Sequence, residues 1–177
     1  MEQGNIIFRK ARGCDASALR LLYNGIIEAM EASSSHAQWR KDGYPTDADL
    51  AAATAAGELY LAWCGDELAG AMVLNHAYNP GYNAVEWGVS CSPQQVLCIH
   101  TLGVSPRYRR QGVATAMVQY AIEVARSLAC KSLRLDVIDT NPAADLFYLR
   151  QGFLLRSTRR LEYDSVRAAF NLYELVL

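Results

Sequence analysis

The sequence predicts a mixed α/β domain, helices packed on a central sheet, and three observations carry that prediction. Short β-prone runs alternate with segments whose apolar residues recur at spacings of three and four, in the order strand, two helices, several strands, helix, strand, helix, strands. The chain of 177 residues has the length of one domain, residues 1–177, and can bury a sizeable core. Its 51% hydrophobic and 20% charged residues are the composition of an ordinary globular protein.

Each element has its own local reason. Ile6 to Lys10 is a short β-prone run. Asp15 is placed as an N-cap for a helix whose face is Ala18, Leu21, Leu22, Ile26 and Met30. Ser33-Ser34-Ser35 ends that helix and opens the loop HAQWRKDGYP. Pro45-Thr46-Asp47 supplies capping chemistry for a second helix, Ala48 to about Ala56, stopped at Gly57. Leu59 to Cys64 and Leu68 to Leu74 read as a hairpin around Gly65-Asp66. The connection from Asn75 to Pro93 is long, irregular and aromatic, a profile that points to function more than to filler. Ser132 to Ile138 is a strand in which Leu133, Leu135 and Val137 alternate with Arg134 and Asp136. Asn141-Pro142 starts a short helix closed by Gly152. Phe153 to Leu155 and Phe170 to Leu177 read as two last strands joined by a polar segment around Arg159 to Arg167.

Composition excludes several classes. A net charge of −1 gives no global field to recruit nucleic acid. No apolar run approaches the roughly 20 residues that span a bilayer. The start, MEQGNIIFRKARG, lacks the apolar centre of a signal peptide, so a cytosolic protein is expected. Five scattered cysteines without a CxxC pair read as reduced thiols, and no Cys/His cluster has zinc-ligand spacing, so no metal is expected.

The chemistry concentrates between Leu97 and Leu128. An apolar run to Val104 is followed by a turn at Ser105-Pro106, a cationic loop Arg107 to Gly112, and a helical period through Val113, Met117, Tyr120, Ala121, Val124 and Leu128. Strand, basic loop and helix N-terminus in that order suit a phosphate-bearing ligand, because free N–H groups meet arginine charge there. Arg109 to Ala114 fits R/Q-x-x-G-x-G/A; Gly112 and the small Ala114 let the backbone approach a phosphate, and Arg109 and Arg110 supply charge-assisted contacts. The absent GK[ST] separates the loop from a nucleotide hydrolase's.

A second segment, Asn141, Ala144, Phe147, Tyr148, Arg150, Gly152 and Phe153, stands as N-x-x-A-x-x-F-Y-x-R-x-G-F. Together with LGVSPRYRRQGVA it resembles the GCN5-related N-acetyltransferase (GNAT) superfamily. The resemblance covers about Val96 to Phe153 and implies that superfamily's fold, a mixed and mostly antiparallel sheet with a splayed strand pair. It also implies acetyl-CoA as cofactor. Leu102, Gly103 and Val104 would lie against the pantetheine arm. Arg109, Arg110, Gln111, Gly112, Val113 and Ala114 would wrap the pyrophosphate. Asn141, Ala144, Phe147 and Arg150 would line the other side of the arm, and Tyr148 would protonate the departing thiolate. Ala114 stands where the family more often has glycine.

Amine acetylation needs a group to take the ammonium proton. His100 interrupts an apolar strand, and its ordinary pKa of about 6.5 suits that transfer. The spacing H-x-L-x-V resembles arylalkylamine acetyltransferases, although Cys98 stands where those enzymes carry a second histidine. Glu86 or bound water are the alternatives. The acceptor pocket would draw on Trp39, Tyr44, Tyr82, Glu86 and Trp87, an aromatic lining that fits a small amine or amino acid. Expected, then, is transfer of acetyl from acetyl-CoA to a primary amine by direct attack in a ternary complex. The alternative is a non-catalytic acyl-CoA-binding module. Paired final strands in this superfamily often make dimers, which the resemblance extends to this chain.

Overall fold

The computed structural model describes residues 6–32, 39–41, 43–163 and 166–177. The expected end of the first helix at Ser33-Ser34-Ser35 and part of the HAQWRKDGYP loop lie outside them. The described residues form a seven-stranded mixed sheet of order β1-β2-β3-β4-β5-β7-β6 flanked by helices. Its strands are β1 (Ile6–Lys10), β2 (Leu59–Cys64), β3 (Glu67–Asn75), β4 (Val96–Val104), β5 (Ser132–Ile138), β6 (Leu154–Tyr163) and β7 (Val166–Val176). Its helices are α1 (Ala16–Ala32), α2 (Asp47–Ala55), α3 (Val113–Ser127) and α4 (Pro142–Arg150). None is long and apolar enough to cross a membrane. The chain divides into two compact units, with β4 and α3 contributing to both.

The first unit comprises Met1–Ser34, Gln38–Leu74 and His100–Tyr120. It is built on the antiparallel pairs β1–β2 and β2–β3. The face read from the sequence packs as expected, with Leu22, Ile26 and Met30 buried, but Leu21 points to solvent. Asp15 does not cap α1. Its carboxylate turns back to accept from the Arg12 N–H at 2.7 Å and from the Arg9 guanidinium at 2.7 Å, because an ion pair there outcompetes a neutral cap. Thr46 does cap α2, accepting from the Asp49 N–H. Phe8 stacks on Tyr120 at 4.5 Å, which ties β1 to α3.

Among the described residues the second unit is drawn from Asn75–Ile99 and Ala121–Leu177. Val96–Cys98 at the start of β4 pair in parallel with Ser132–Arg134 of β5. β5 then pairs with β7, and β7 with β6, both antiparallel. The last two strands are longer than the sequence suggests. The polar segment around Arg159 is itself strand, since β6 is held by its ladder to β7 while most of its side chains face water. The connection after β3 folds into a 3-10 turn at Pro80–Ala84 and buries Tyr82 and Val85 with Val96, Cys98, Leu161, Phe170 and Leu172. The polar face of β5 is therefore covered rather than solvated. Arg134 is buried and Asp136 half-buried.

Candidate active site

In the first unit the site begins on β4. Thr101 has φ 49, a left-handed backbone that a β-branched residue rarely adopts. Tyr23 of α1 donates its hydroxyl to the Thr101 carbonyl at 2.9 Å and holds that distortion in place. The Thr101 Oγ1 is buried without a hydrogen-bond partner among the described residues. Leu102 and Val104 are half-buried, whereas Gly103 is buried. A Cβ at Gly103 would come within 2.8 Å of Ile26 and 3.4 Å of Trp39, so glycine stands there to admit side chains of its own unit. Trp39 meets Tyr23 edge to face at 5.6 Å; Tyr44 is exposed.

Beyond β4 the chain is pinned before it reaches the basic loop. Ser105 N–H donates to the Ala69 carbonyl at 2.8 Å. Glu67 takes the Arg107 guanidinium at 2.7 Å and the Tyr108 hydroxyl at 2.8 Å. Those two contacts hold its carboxyl below the usual range, the tyrosine bond being the larger cause. Gln111 donates its amide to the Arg107 carbonyl at 2.6 Å. The side chains of Arg109 and Arg110 are exposed and make no hydrogen bond or ion pair among the described residues. Arg110 and Gly112 have φ 61 and 83, and alternation of this kind turns successive N–H groups toward one concavity. A Cβ at Gly112 would meet nothing within 4 Å, so its left-handed backbone, and not internal crowding, calls for glycine. Buried Val113 and half-buried Ala114 then open α3, whose first N–H groups have no carbonyl within the helix.

In the second unit Asn141 accepts from the Ala144 N–H at 3.2 Å and caps α4, as its place before Pro142 suggests. Ala144 and Phe147 are half-buried and Arg150 is exposed. Tyr148 is 9% exposed, with its ring edge-on to Phe147 at 5.0 Å and to Phe153 at 5.5 Å. Its hydroxyl makes no hydrogen bond among the described residues. Burial, and after it the negative charge of Asp136, push the phenol well above its ordinary pKa, so the proton stays on at neutrality.

Within the second unit, two of the residues expected to frame an acceptor are brought together. Tyr82 and Trp87 line one cavity of about 310 Å³ with Tyr78, Cys91 and Arg134. Trp87 donates its indole N–H to the Tyr82 carbonyl, and its ring carries the Arg134 guanidinium at 4.0 Å. Glu86, beside them in sequence, is exposed and has no partner among the described residues. His100 is half-buried on β4. All five cysteines are free thiols, and burial pushes Cys98 up to about 12, which leaves almost no thiolate at neutrality.

Sequence reasoning passed over the ionic centre of this unit. Glu174 is fully buried; one carboxylate oxygen accepts from Ser132 at 2.8 Å and Arg134 at 3.2 Å, the other from the Gly88 N–H at 2.6 Å and Arg156 at 2.9 Å. It also passed over Asp136, whose Oδ2 accepts from the hydroxyls of Tyr82 at 2.7 Å and Tyr163 at 2.6 Å. The only signal was a pair of charges alternating with apolar residues on a short strand, which equally describes a solvated face.

A mixed sheet with a basic turn before α3 and a tyrosine-bearing α4 belongs to a known class. The profile of the Acetyltransferase (GNAT) family matches residues 23–153, and the chain belongs to that family. A GNAT-family acetyltransferase from Streptococcus agalactiae 2603 has the same fold, with a TM-score of 0.83 at 18% identity over 97% of this chain and 95% of its own. The ribosomal-protein-S18-alanine N-acetyltransferase of Escherichia coli aligns with a TM-score of 0.67 at 18% identity, covering 97% of this chain and 94% of that one. For yncA of Salmonella typhimurium, whose structure holds its cofactor acetyl-CoA, the TM-score is 0.69 at 13% identity over 97% and 94%. No curated protein matches the sequence.

Proposed function

We propose that the chain is a single-domain, cytosolic N-acetyltransferase that moves the acetyl group of acetyl-CoA to a primary amine by direct attack. The family profile, which runs through both units, supports the one-domain reading. The residues present suit the cofactor. The turn with positive φ at Arg110 and Gly112 supplies converging N–H groups and two uncommitted guanidinium groups for a pyrophosphate. The orphan Thr101 Oγ1 on β4 is a polar group that a polar arm would satisfy. Leu102 to Val104 of the first unit would contact the pantetheine arm, and Asn141, Ala144, Phe147 and Arg150 are the second unit's candidates for holding it. When bound, acetyl-CoA supplies the acetyl group as a thioester.

The observation that carries the reading is Tyr148. Its ring is fixed by Phe147 and Phe153, its hydroxyl lacks a partner among the described residues, and its proton is retained by burial. That is the state of a general acid waiting for a leaving thiolate. His100, Glu86 or water takes the proton of the incoming ammonium. Cys98 is held as the thiol and offers no route through an acyl-enzyme.

Thiol release from acetyl-CoA with pooled amines, read together with a mass gain of one acetyl group on the acceptor, tests the activity. Tyr148→Phe should lower kcat by about 100-fold with little change in coenzyme A affinity, the size expected for loss of a positioned proton donor. An unchanged kcat would remove Tyr148 from the mechanism.

A further inference from the structure

Asp136 has a feature that its neighbours on β5 lack. Arg134, two residues earlier on the same face, forms an ion pair with Glu174 at 3.1 Å. Asp136 joins no ion pair among the described residues. Both of its hydrogen bonds, from the Tyr82 and Tyr163 hydroxyls, fall on Oδ2, which leaves Oδ1 without a bond among the described residues. It is also half-buried, so a cation arriving there would meet a carboxylate partly shielded from water. Neutral phenols orient such a group without cancelling its charge. Tyr82 is 1% exposed and stacks on Tyr78 at 5.5 Å, so that donor is rigid. Tyr163 is 36% exposed, so the other side of the carboxylate is edged by a ring that a ligand can reach. Aromatic faces beside a carboxylate form a cation-selective lining.

We infer that Asp136, oriented by Tyr82 and Tyr163, anchors a cationic ammonium of the acceptor, and that the acceptors are amines without a carboxylate beside the amine. The inference rests on the acetyltransferase reading and narrows its substrate class. Asp136 and the proposed acid Tyr148 belong to the same unit, and the carboxylate's charge is a cause, second to burial, of the raised phenol pKa. An α-amino acid would bring its own carboxylate toward Asp136 and be repelled. Asp136 is a binding group and moves no proton in this scheme.

The full chain is the material for the test. Steady-state thiol release is measured with phenethylamine and 1,4-diaminobutane against phenylalanine and ornithine. Equilibrium binding of the two carboxylate-free amines is measured separately. The expected result is a preference for those amines, and for Asp136→Asn a rise of about 10- to 100-fold in their KM and dissociation constants, the range of one hydrogen bond to a charged group. The KM for acetyl-CoA should stay within about twofold, which a general loss of structure would not allow. Tyr163→Phe, a change at a part-exposed hydroxyl, keeps the test open if the asparagine variant does not fold; about a threefold rise in amine KM is expected. Equal use of the amino acids, or amine binding unmoved in both variants, overturns the anchor. Amine binding that weakens in Asp136→Asn without thiol release from any acceptor would leave the anchor standing and sink the acetyltransfer reading instead.

Discussion

Two pairs of arginines in this molecule carry the same charge and are put to opposite use. Arg134 and Arg156 converge on the buried carboxylate of Glu174, and their partners are complete. Arg109 and Arg110 stand exposed on a turn whose other polar residues, Arg107, Tyr108 and Gln111, are tied down. The pair on Glu174 is structural because a desolvated charge needs a partner within the protein. The exposed pair is available because water, and not a carboxylate, solvates it. Commitment, not residue type, separates a structural arginine from a binding one.

The sharpest way to break the comparison is at Glu174. Glu174→Ala removes the acceptor shared by buried Arg134 and part-exposed Arg156, at a cost of about 3–5 kcal/mol. Denaturant unfolding should report that loss, and a stability within about 1 kcal/mol of the parent would show that the cluster is weak. The converse change is Arg109→Ala with Arg110→Ala. Coenzyme A should bind about tenfold or more weakly, with a shallower dependence on salt. Unfolding stability should stay within about 0.5 kcal/mol, as for surface changes generally. A collapse of stability in that double variant would put the exposed pair in the structural class.

Arg9 lies between the two extremes, part-exposed and bonded to the nearly buried Asp15. The hydrogen bond from Arg9 is the main reason that the Asp15 carboxyl is held below its ordinary pKa, with burial opposing it. A carboxyl depressed in the folded state stabilises above its unfolded pKa of about 3.9, and the contribution disappears as pH falls through the lower folded value. Asp15→Asn should therefore cost about 1–2 kcal/mol at pH 7 and progressively less as pH falls below about 3.9. A difference that persisted in acid would mean that the loss is packing and not charge.

Much of the fold was legible because its signals are local. The cap at Asn141, the cap at Thr46, the bounds of β1, β2 and β5, and the helical face from Val113 follow from side chains acting on neighbouring backbone. The placing of the basic turn before α3 and of Tyr148 on α4 was legible for a related reason, since both sit in short contiguous motifs. Asp15 was misplaced as a cap because Arg9, six residues earlier, competes for its carboxylate. The length of β6 was underestimated because a strand held by its ladder to β7 needs no apolar alternation. Tyr82 and Trp87 were expected in an acceptor pocket. They do line a cavity together, and exposed Glu86, beside them in sequence, is not among the residues that line it.

By itself the sequence determined the order of elements, the basic turn before α3 and the presence of a tyrosine on α4, because each depends on residues within a turn or two of one another. Only the tertiary structure decided which charges are matched. Whether Arg134 or Asp136 meets a partner depends on Glu174 and Arg156 across the final hairpin and on Tyr82 from the connection after β3, none of them near in sequence. Coulomb and desolvation energies depend on distance in space and on burial, and no local pattern encodes either.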